Sequence, residues 1–251
     1  MPRFSSASSS EPAISSEARG ALDAFVAESP VARGPITQAV REFAASVPPG
    51  SRVLDAGAGN APYRPLFAHC DYRTHDWSES VHDGAKRADV VGDLASLPIE
   101  DACFDAVLLT EVLEHIANPE QALRELHRIL TPHGRLLITV PFVVELHEEP
   151  HDHFRYTSHG LRGLLERAGF GDIGVEPLTG WFGTLANMLR HQGLSTAAAS
   201  GRRTLGQRAA GGTGLVLSAL LAKAAPKLDA RLDHRHALPL GWVARATKTA
   251  S

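Results

Sequence analysis

A glycine turn directly after an apolar run constrains this chain more than any other feature. Residues 53–59 read Val-Leu-Asp-Ala-Gly-Ala-Gly, so a short buried strand ends in a carboxylate and opens into a loop. Gly57 and Gly59 can adopt positive φ, and the missing Cβ lets a ligand lie against the backbone. Such a turn at the carboxyl edge of an open α/β sheet is where these folds bind nucleotides. The pattern predicts a cofactor loop, with a plain strand-to-helix turn as the alternative.

Two side chains restrict the class of ligand. Pro62 occupies the place of the third glycine in the dinucleotide-binding pattern. Asp55, just inside the loop, would repel a diphosphate and would attract a cationic amine. These residues therefore favour a ligand that carries an ammonium group.

Carboxylates also follow the next three candidate strands. They are Asp76, Asp93, Glu111 and Glu114. Because the carboxyl ends of parallel strands meet at one edge of a sheet, we expect these groups to lie near the glycine loop. Asp76 follows the loop by roughly the spacing at which acidic residues bind ribose hydroxyls, although a single aspartate is more often a turn residue.

These motifs resemble the class I S-adenosylmethionine-dependent methyltransferases, specifically a broad bacterial group that acts on small molecules and glycans. The resemblance covers roughly residues 50–142 and implies S-adenosylmethionine as the cofactor. The cofactor residues that it implies are Asp55, Gly57 and Gly59 at the methionine end, Asp76 at the ribose, Asp93 and Leu94 at the adenine, and Glu111 in the pocket lining. Ala61 departs from the glycine often found at its place, but alanine is a small variant that leaves the assignment unchanged.

The same resemblance implies an α/β fold, a Rossmann-like, doubly wound sheet of seven strands with the last strand antiparallel and helices on both faces. Apolar periodicity predicts helices over residues 17–29 and 35–47, with Pro35 in the first turn of the second. Further predicted elements are a helix capped by Asn118, a strand over 135–140, a helix capped by Thr157 or Ser158, a strand over 172–178 and a last strand over 240–246.

Composition predicts a disordered leader and a single domain. Residues 1–17 are rich in serine and lack the apolar core of a signal peptide. Residues 18–251 are long enough to bury one full α/β core, and the resemblance makes them one methyltransferase domain. Within it, residues 181–226 are predicted to form an acceptor-side insertion, of which 195–214 read as a mobile stretch and 215–225 as an apolar helix.

Charge and apolar runs argue against two classes of partner. The net charge is −3 and no concentrated basic stripe is present, so nucleic acid is not the expected partner. No apolar run approaches the roughly 20 residues that a membrane span needs. Cys70 and Cys103 show no metal-type spacing, which is typical of free thiols in a reducing compartment. The sequence therefore predicts a cytoplasmic protein, and its oligomeric state stays open.

The acceptor site is expected in residues 142–157, because this loop leaves the sheet on the cofactor side. Three imidazoles and four carboxylates lie within a dozen residues of one another there. In one interpretation His151 or His153, paired with Asp152, is a general base for an acceptor hydroxyl or amine. In a second, His147, His151 and Asp152 bind a divalent metal. In the third the segment is only a polar lid.

The remaining candidates for acceptor contact are His115, Arg155, Tyr156 and Trp181. Each has a structural alternative: His115 can be a packed histidine, Arg155 can pair internally with Glu111 or Glu114, and Trp181 can be core. The predicted function is transfer of a methyl group from S-adenosylmethionine to oxygen or nitrogen of a small-molecule, sugar or natural-product acceptor. A protein or nucleic-acid methyltransferase, and a binding protein without catalysis, are the alternatives.

Overall fold

The computed structural model describes residues 14–198, 205–233 and 235–249. In these ranges seven strands form one sheet; they are β1 (Arg52–Ala56), β2 (Asp71–Asp76), β3 (Val90–Val91), β4 (Phe104–Thr110), β5 (Leu130–Pro141), β6 (Phe170–Pro177) and β7 (Gly241–Lys248). The helices are α1 (Ser16–Glu28), α2 (Pro30–Ser46), α3 (Pro119–Ile129), α4 (Ser158–Arg167), α5 (Trp181–Ala198) and α6 (Leu205–Leu232). In this part of the chain no helix is long and apolar enough to cross a membrane.

The sheet has the order β3-β2-β1-β4-β5-β7-β6. Strands β3, β2, β1, β4 and β5 pair in parallel, whereas β7 is antiparallel to both of its neighbours, β5 and β6. The predicted seven-stranded, doubly wound sheet with an antiparallel last strand is therefore confirmed. From β1 the chain runs outward to β2 and β3 and then returns to β4 on the other side of β1. This reversal opens a crevice at the carboxyl ends of β1 and β4, where ligands bind in such sheets.

Successive residues of β1 bury opposite faces of the sheet, as a buried parallel strand requires. Val53 packs in the core under α2, together with Val40 and Phe43. Leu54 packs in the core on the other face, under the apolar stripe of α3. Covering both faces leaves the carboxyl edge as the accessible side of the sheet.

Helix α2 begins earlier than its periodicity predicts. Pro30 occupies its first turn, where a missing N–H costs nothing. Pro35 therefore lies inside the helix, and the prediction that it starts the helix was wrong. The apolar residues Ile36, Val40 and Phe43, whose spacing indicates one face of this helix, are buried together, and their burial offsets the one hydrogen bond that Pro35 cannot donate.

Strand β5 is longer than the predicted 135–140. It starts at Leu130, and its register with β4 shifts between the pairs Phe104↔Leu130 and Ala106↔Arg135. The extra residues form an irregularity in the ladder, where His133 has a φ of 62°. Residues 131–134, which precede the predicted strand, are therefore part of β5.

The predicted mobile stretch 195–214 is helical in its described parts, because α5 extends to Ala198 and α6 begins at Leu205. Residues 199–204 lie outside the described part. A glycine at their contact lets the two helices approach closely, since a Cβ on Gly193 would lie 2.8 Å from Cγ of Leu215. The apolar helix predicted over 215–225 is one section of α6.

The amino-terminal prediction is corrected in part. Residues 14–17, assigned to the leader, contribute to the start of α1, where the Ser15 hydroxyl accepts a hydrogen bond from the Ala18 N–H at 3.2 Å. Residues 1–13 lie outside the described part. The predicted caps Asn118 and Thr157 are confirmed, because each side chain accepts a hydrogen bond from a backbone N–H three residues on.

Candidate functional site

The glycine turn after β1 has the backbone geometry that its residues predict. Gly57 has a φ of +73° and Gly59 a φ of +54°. The N–H groups of Gly57 and Ala58 both donate to the carbonyl oxygen of His75, at 2.9 and 3.0 Å, which ties the turn to the end of β2. A Cβ on Gly57 would lie 2.4 Å from Cγ2 of Val112, so glycine is also required by packing against the segment after β4.

Asp76 closes this turn from the end of β2. Its Oδ2 accepts a hydrogen bond from the Gly59 N–H at 2.6 Å, and its Oδ1 accepts one from the Trp77 N–H at 2.7 Å. Each carboxylate oxygen has two lone pairs. One lone pair on each oxygen thus stays available for a hydroxyl donor beside the glycine turn.

Asp55 is buried at the end of β1, with an exposed fraction of 1%. The Tyr72 hydroxyl donates to its Oδ2, while Oδ1 has no hydrogen-bond partner among the described residues. Burial raises the pKa of this carboxyl to about 7. A nearby cation would hold Asp55 in its ionised form.

Glu111 occupies the matching position after β4. Its backbone has a φ of 52°, and its N–H donates to the carbonyl oxygen of Thr139 at 3.1 Å. Its Oε1 is buried without a hydrogen-bond partner in the described chain, and burial raises the pKa of this carboxyl. Two buried carboxyl groups, each with an unpaired oxygen, therefore flank the crevice between β1 and β4.

Asp93 and Leu94 follow β3 at the same edge. The Asp93 side chain is exposed and accepts a hydrogen bond from the Ala95 N–H at 2.8 Å. The Leu94 side chain packs into the hydrophobic core. Of these two residues, only Asp93 has its side chain exposed to solvent.

The segment after β2 links the glycine turn to residues 142–157, which we call the acceptor loop. A Cβ on Gly59 would lie 3.3 Å from the ring of His82, and His82 Nε2 lies 3.6 Å from a carboxylate oxygen of Glu148. This contact raises the pKa of His82 and lowers the pKa of Glu148. The rings of Trp77 and His151 meet edge to face at 5.1 Å. The cofactor loop and the acceptor loop thus share one edge.

Within the acceptor loop, Asp152 pairs with Arg155. The guanidinium donates to both carboxylate oxygens, at 2.5 and 2.7 Å, and also to the carbonyl oxygens of Val144 and Glu145. This interaction holds the pKa of Asp152 well below its usual range. The expected pairing of Asp152 with a histidine at 151 or 153 is therefore wrong, and so is the alternative in which Arg155 pairs with Glu111 or Glu114. A guanidinium can donate to both oxygens of a carboxylate three residues away, and a single imidazole cannot.

His151 and His153 are both exposed, and their ring centroids are 6.3 Å apart. The backbone N–H of His153 donates to the carbonyl oxygen of Glu114 at 2.9 Å, which anchors the loop to the turn after β4. Both imidazoles remain accessible to an acceptor, but neither relies on Asp152 for orientation.

His115 is half-buried beside Glu114, one of the strand-end carboxylates that the sequence places near the glycine loop. Its Nε2 lies 3.6 Å from Oε1 of Glu114, and Nε2 of His147 lies 3.9 Å from the same oxygen. The side chain of Glu114 is fully buried. The sequence shows the adjacent pair Glu114 and His115 after a strand. Only the folded acceptor loop brings His147 to the same carboxylate.

Tyr156 and Trp181 differ in exposure. Tyr156 is buried and its hydroxyl donates to the carbonyl oxygen of Leu113 at 3.0 Å. Trp181 begins α5 with 43% of its surface exposed. Helix α5 borders the acceptor loop, because His191 Nδ1 lies 2.6 Å from a carboxylate oxygen of Glu145.

Residues 54–138 match the family model described as a methyltransferase domain. This segment contains the glycine turn, Asp76, Asp93 and the turn after β4. Residues 54–138 are therefore similar to a methyltransferase domain, and the sheet around them has the fold of class I methyltransferases.

Two curated relatives match parts of the chain. The tRNA (carboxymethyluridine(34)-5-O)-methyltransferase of Arabidopsis thaliana is 35% identical over 109 residues, which are 40% of this chain and 26% of that protein. The ubiquinone/menaquinone biosynthesis C-methyltransferase of Ruegeria sp. is 31% identical over 140 residues, 50% of this chain and 51% of that protein. The chain thus spans a quarter to a half of the length of these relatives.

Two solved structures share the fold at low identity. The [4+2]-cyclase SpnF has 21% identity and a TM-score of 0.54, over 86% of this chain and 80% of that chain. A phosphoethanolamine N-methyltransferase 2 of Haemonchus contortus, in complex with S-adenosyl-L-methionine, has 18% identity and a TM-score of 0.53, over 86% of this chain and 52% of that chain.

Proposed function

We propose that this chain transfers a methyl group from S-adenosylmethionine to a small-molecule, sugar or natural-product acceptor. The observation that carries the proposal is the glycine turn closed by Asp76 between the buried carboxyl groups of Asp55 and Glu111. This arrangement lies at the switch point of the sheet, inside the segment that matches the methyltransferase domain.

The residues at this edge fit the groups of S-adenosylmethionine. The unpaired Oδ1 of Asp55 is a suitable partner for an ammonium group, which would keep this carboxyl ionised despite burial. The remaining lone pairs of Asp76 suit ribose hydroxyls, and the exposed carboxylate of Asp93 suits an exocyclic amine. The bound sulfonium supplies an activated methyl group. The protein is left to hold the acceptor in line, and such positioning can supply up to about 7–11 kcal/mol of the barrier.

The acceptor loop favours a small acceptor over a nucleic acid. Its one arginine, Arg155, is already paired with Asp152, and Glu145, Glu148 and Glu149 add negative charge. A polyphosphate backbone is bound by unpaired Lys and Arg side chains, which this loop lacks. The exposed imidazoles of His151 and His153 are the proposed general bases for an acceptor hydroxyl or amine.

Helix α5 is proposed as the far wall of the acceptor pocket, with Trp181 in contact with the acceptor. The exposure of Trp181 and the contact between His191 and Glu145 support this placement. Alanine in place of Trp181 should raise the KM for the acceptor without changing affinity for S-adenosylmethionine. If the alanine variant changes only the free energy of unfolding, and not the KM for the acceptor, Trp181 is a core residue instead.

Two alternatives rest on the relatives. The Arabidopsis protein is named as a tRNA methyltransferase, which keeps nucleic acid as a second acceptor class. The fold also occurs in a protein named as a cyclase, and a fold does not by itself determine chemistry.

The test is calorimetry with S-adenosylmethionine, followed by detection of S-adenosylhomocysteine with panels of phenols, sugars, amines, quinones and tRNA. We expect binding, and turnover only with small molecules. Turnover with tRNA alone would show that the acceptor is a nucleic acid and not a small molecule. Methylation at a carbon atom would contradict the expectation that oxygen or nitrogen is methylated. A chain that does not bind S-adenosylmethionine would contradict the proposed function. Of the variants His151→Ala and His153→Ala, the one that removes the general base should lower turnover by about 100-fold or more. Its affinity for S-adenosylmethionine should be preserved.

A further inference from the structure

Glu114 is a buried carboxylate that receives no hydrogen bond from any other described residue. Its side chain is fully buried, and neither of its side-chain oxygens accepts a hydrogen bond from another residue in the described chain. An isolated ionised carboxylate in such a place is costly unless a cation or a proton neutralises it. The groups that face Glu114 therefore decide how its charge is compensated.

His115 presents a lone pair to this carboxylate. Its Nδ1 lies 3.0 Å from the carbonyl oxygen of His151. A carbonyl oxygen only accepts hydrogen bonds, so Nδ1 carries the proton of the neutral ring. Nε2, which lies 3.6 Å from Oε1 of Glu114, is then unprotonated.

His147 has the same tautomer for a similar reason. Its Nδ1 lies 3.1 Å from the carbonyl oxygen of Glu145 and 3.3 Å from Nη2 of Arg155. The two protons of Nη2 are directed to closer acceptors, Asp152 at 2.7 Å and the Glu145 carbonyl at 2.9 Å. Nδ1 therefore donates to the carbonyl, and Nε2 faces Glu114 at 3.9 Å with its lone pair.

One carboxylate and two imidazole nitrogens thus converge, with their ligand atoms all within 4.8 Å of one another. We propose that Glu114, His115 and His147 bind a divalent metal ion of the zinc class. Bonds of about 2.0–2.1 Å place neighbouring ligand atoms of a tetrahedral zinc site roughly 3.3 Å apart, so closing around the ion takes shifts of a few tenths of an ångström to about one ångström. Nδ1–H bonds to backbone carbonyls are the outer contacts that orient metal-binding histidines.

Three protein ligands leave a fourth position for an oxygen ligand, as in catalytic zinc sites. Only the identity of this fourth ligand rests on the proposed function, under which it is a hydroxyl or carbonyl oxygen of the methyl acceptor. This set differs from His147, His151 and Asp152, the metal ligands considered from the sequence. The ring of His151 contacts Trp77 and both oxygens of Asp152 contact Arg155.

The test is titration of the metal-free chain of 251 residues with Zn²⁺ against a chromophoric chelator, with Co²⁺ as a spectroscopic substitute. We expect one ion per chain and the visible absorption of four-coordinate Co²⁺. The variants Glu114→Gln, His115→Ala and His147→Ala should each weaken Zn²⁺ binding by about 100-fold or more, since even outer contacts cost about 10–100-fold. His151→Ala and His159→Ala, an exposed histidine of α4, are matched controls that should bind as the wild type does.

Absence of stoichiometric binding would overturn the proposal and leave a proton as the neutralising group. Binding that survives Glu114→Gln but fails in His151→Ala would also overturn it. If Glu114→Gln does not fold, as judged by circular dichroism, His147→Ala at the partly exposed position decides. Zinc binding without methyl transfer would reject the proposed function alone, whereas methyl transfer by a chain that binds no zinc would reject the metal site alone.

Discussion

The carboxylate of Asp76 accepts a hydrogen bond from the backbone N–H of Gly59 at 2.6 Å, across 17 residues of sequence. This bond joins the end of β2 to the glycine turn after β1. A single side chain therefore both shapes the turn and faces the place where the ribose of S-adenosylmethionine is proposed to bind.

Replacement of Asp76 by Ala should weaken S-adenosylmethionine binding by roughly 10–100-fold, because charge-assisted hydrogen bonds contribute about 1.5–3 kcal/mol. Calorimetry measures this change. Asp71→Ala is the matched control, since Asp71 begins the same strand at the opposite edge and pairs with Arg73 on the surface. Equal affinities of the two variants would contradict the assignment of Asp76.

Replacement of Gly57 by Ala should lower the free energy of unfolding by about 2–4 kcal/mol, from the clash with Val112 and from the positive φ. Urea denaturation in a double-mutant cycle separates the two causes. In a Val112→Ala background the clash is relieved, and only the backbone cost of about 1–2 kcal/mol should remain. A cost that is the same in both backgrounds would show that Val112 does not enforce glycine at this position.

The stability of the protein without cofactor should depend on pH through Asp55. The pKa of this carboxyl is 3.8 in the unfolded chain and about 7 in the fold, so the folded state binds the proton more tightly. Its contribution is fully present below about pH 4 and is lost as the pH rises through 7. Asp55→Asn removes this dependence.

Between pH 4 and pH 8, Asp55→Asn should therefore gain up to about 4 kcal/mol of unfolding free energy relative to the wild type. Chemical denaturation at each pH measures the difference. A constant difference across this range would mean that Asp55 titrates normally in the fold.

Replacement of Arg155 by Lys should loosen the acceptor loop while keeping the charge. Lysine cannot reproduce the fork that binds Asp152 and the carbonyl oxygens of Val144 and Glu145 together. Amide hydrogen exchange over residues 144–154 should accelerate by about tenfold or more, since charged hydrogen bonds contribute about 1.5–3 kcal/mol.

The control for this change is Arg162→Lys in α4, where the arginine donates to the single carbonyl oxygen of Ile173. Its effect on exchange over 144–154 should be negligible. Unchanged exchange in Arg155→Lys would show that the loop is held by its backbone contacts to Glu114.

Features that depend on near neighbours in the chain could be predicted from the sequence. The glycine turn at 57–59 and the caps Asn118 and Thr157 need only a few consecutive residues, because positive φ and capping are properties of single turns. The seven-stranded, doubly wound sheet was implied by the resemblance of the glycine turn and the strand-end carboxylates to a known family. The start of α2 was misplaced because both Pro30 and Pro35 suit a first turn, and only the packing of the helix distinguishes them.

The sequence by itself determined the glycine turn, the strand-end carboxylates and the class of fold. The tertiary structure decided which charges meet: Asp152 with Arg155 rather than with His151 or His153, and Glu114 with His115 and His147. The physical reason is that the meeting of Glu114 with His147 depends on how the loop after β5 folds back onto the turn after β4. Local patterns carry no information about that closure, because the contact between Glu114 and His147 joins residues some thirty positions apart.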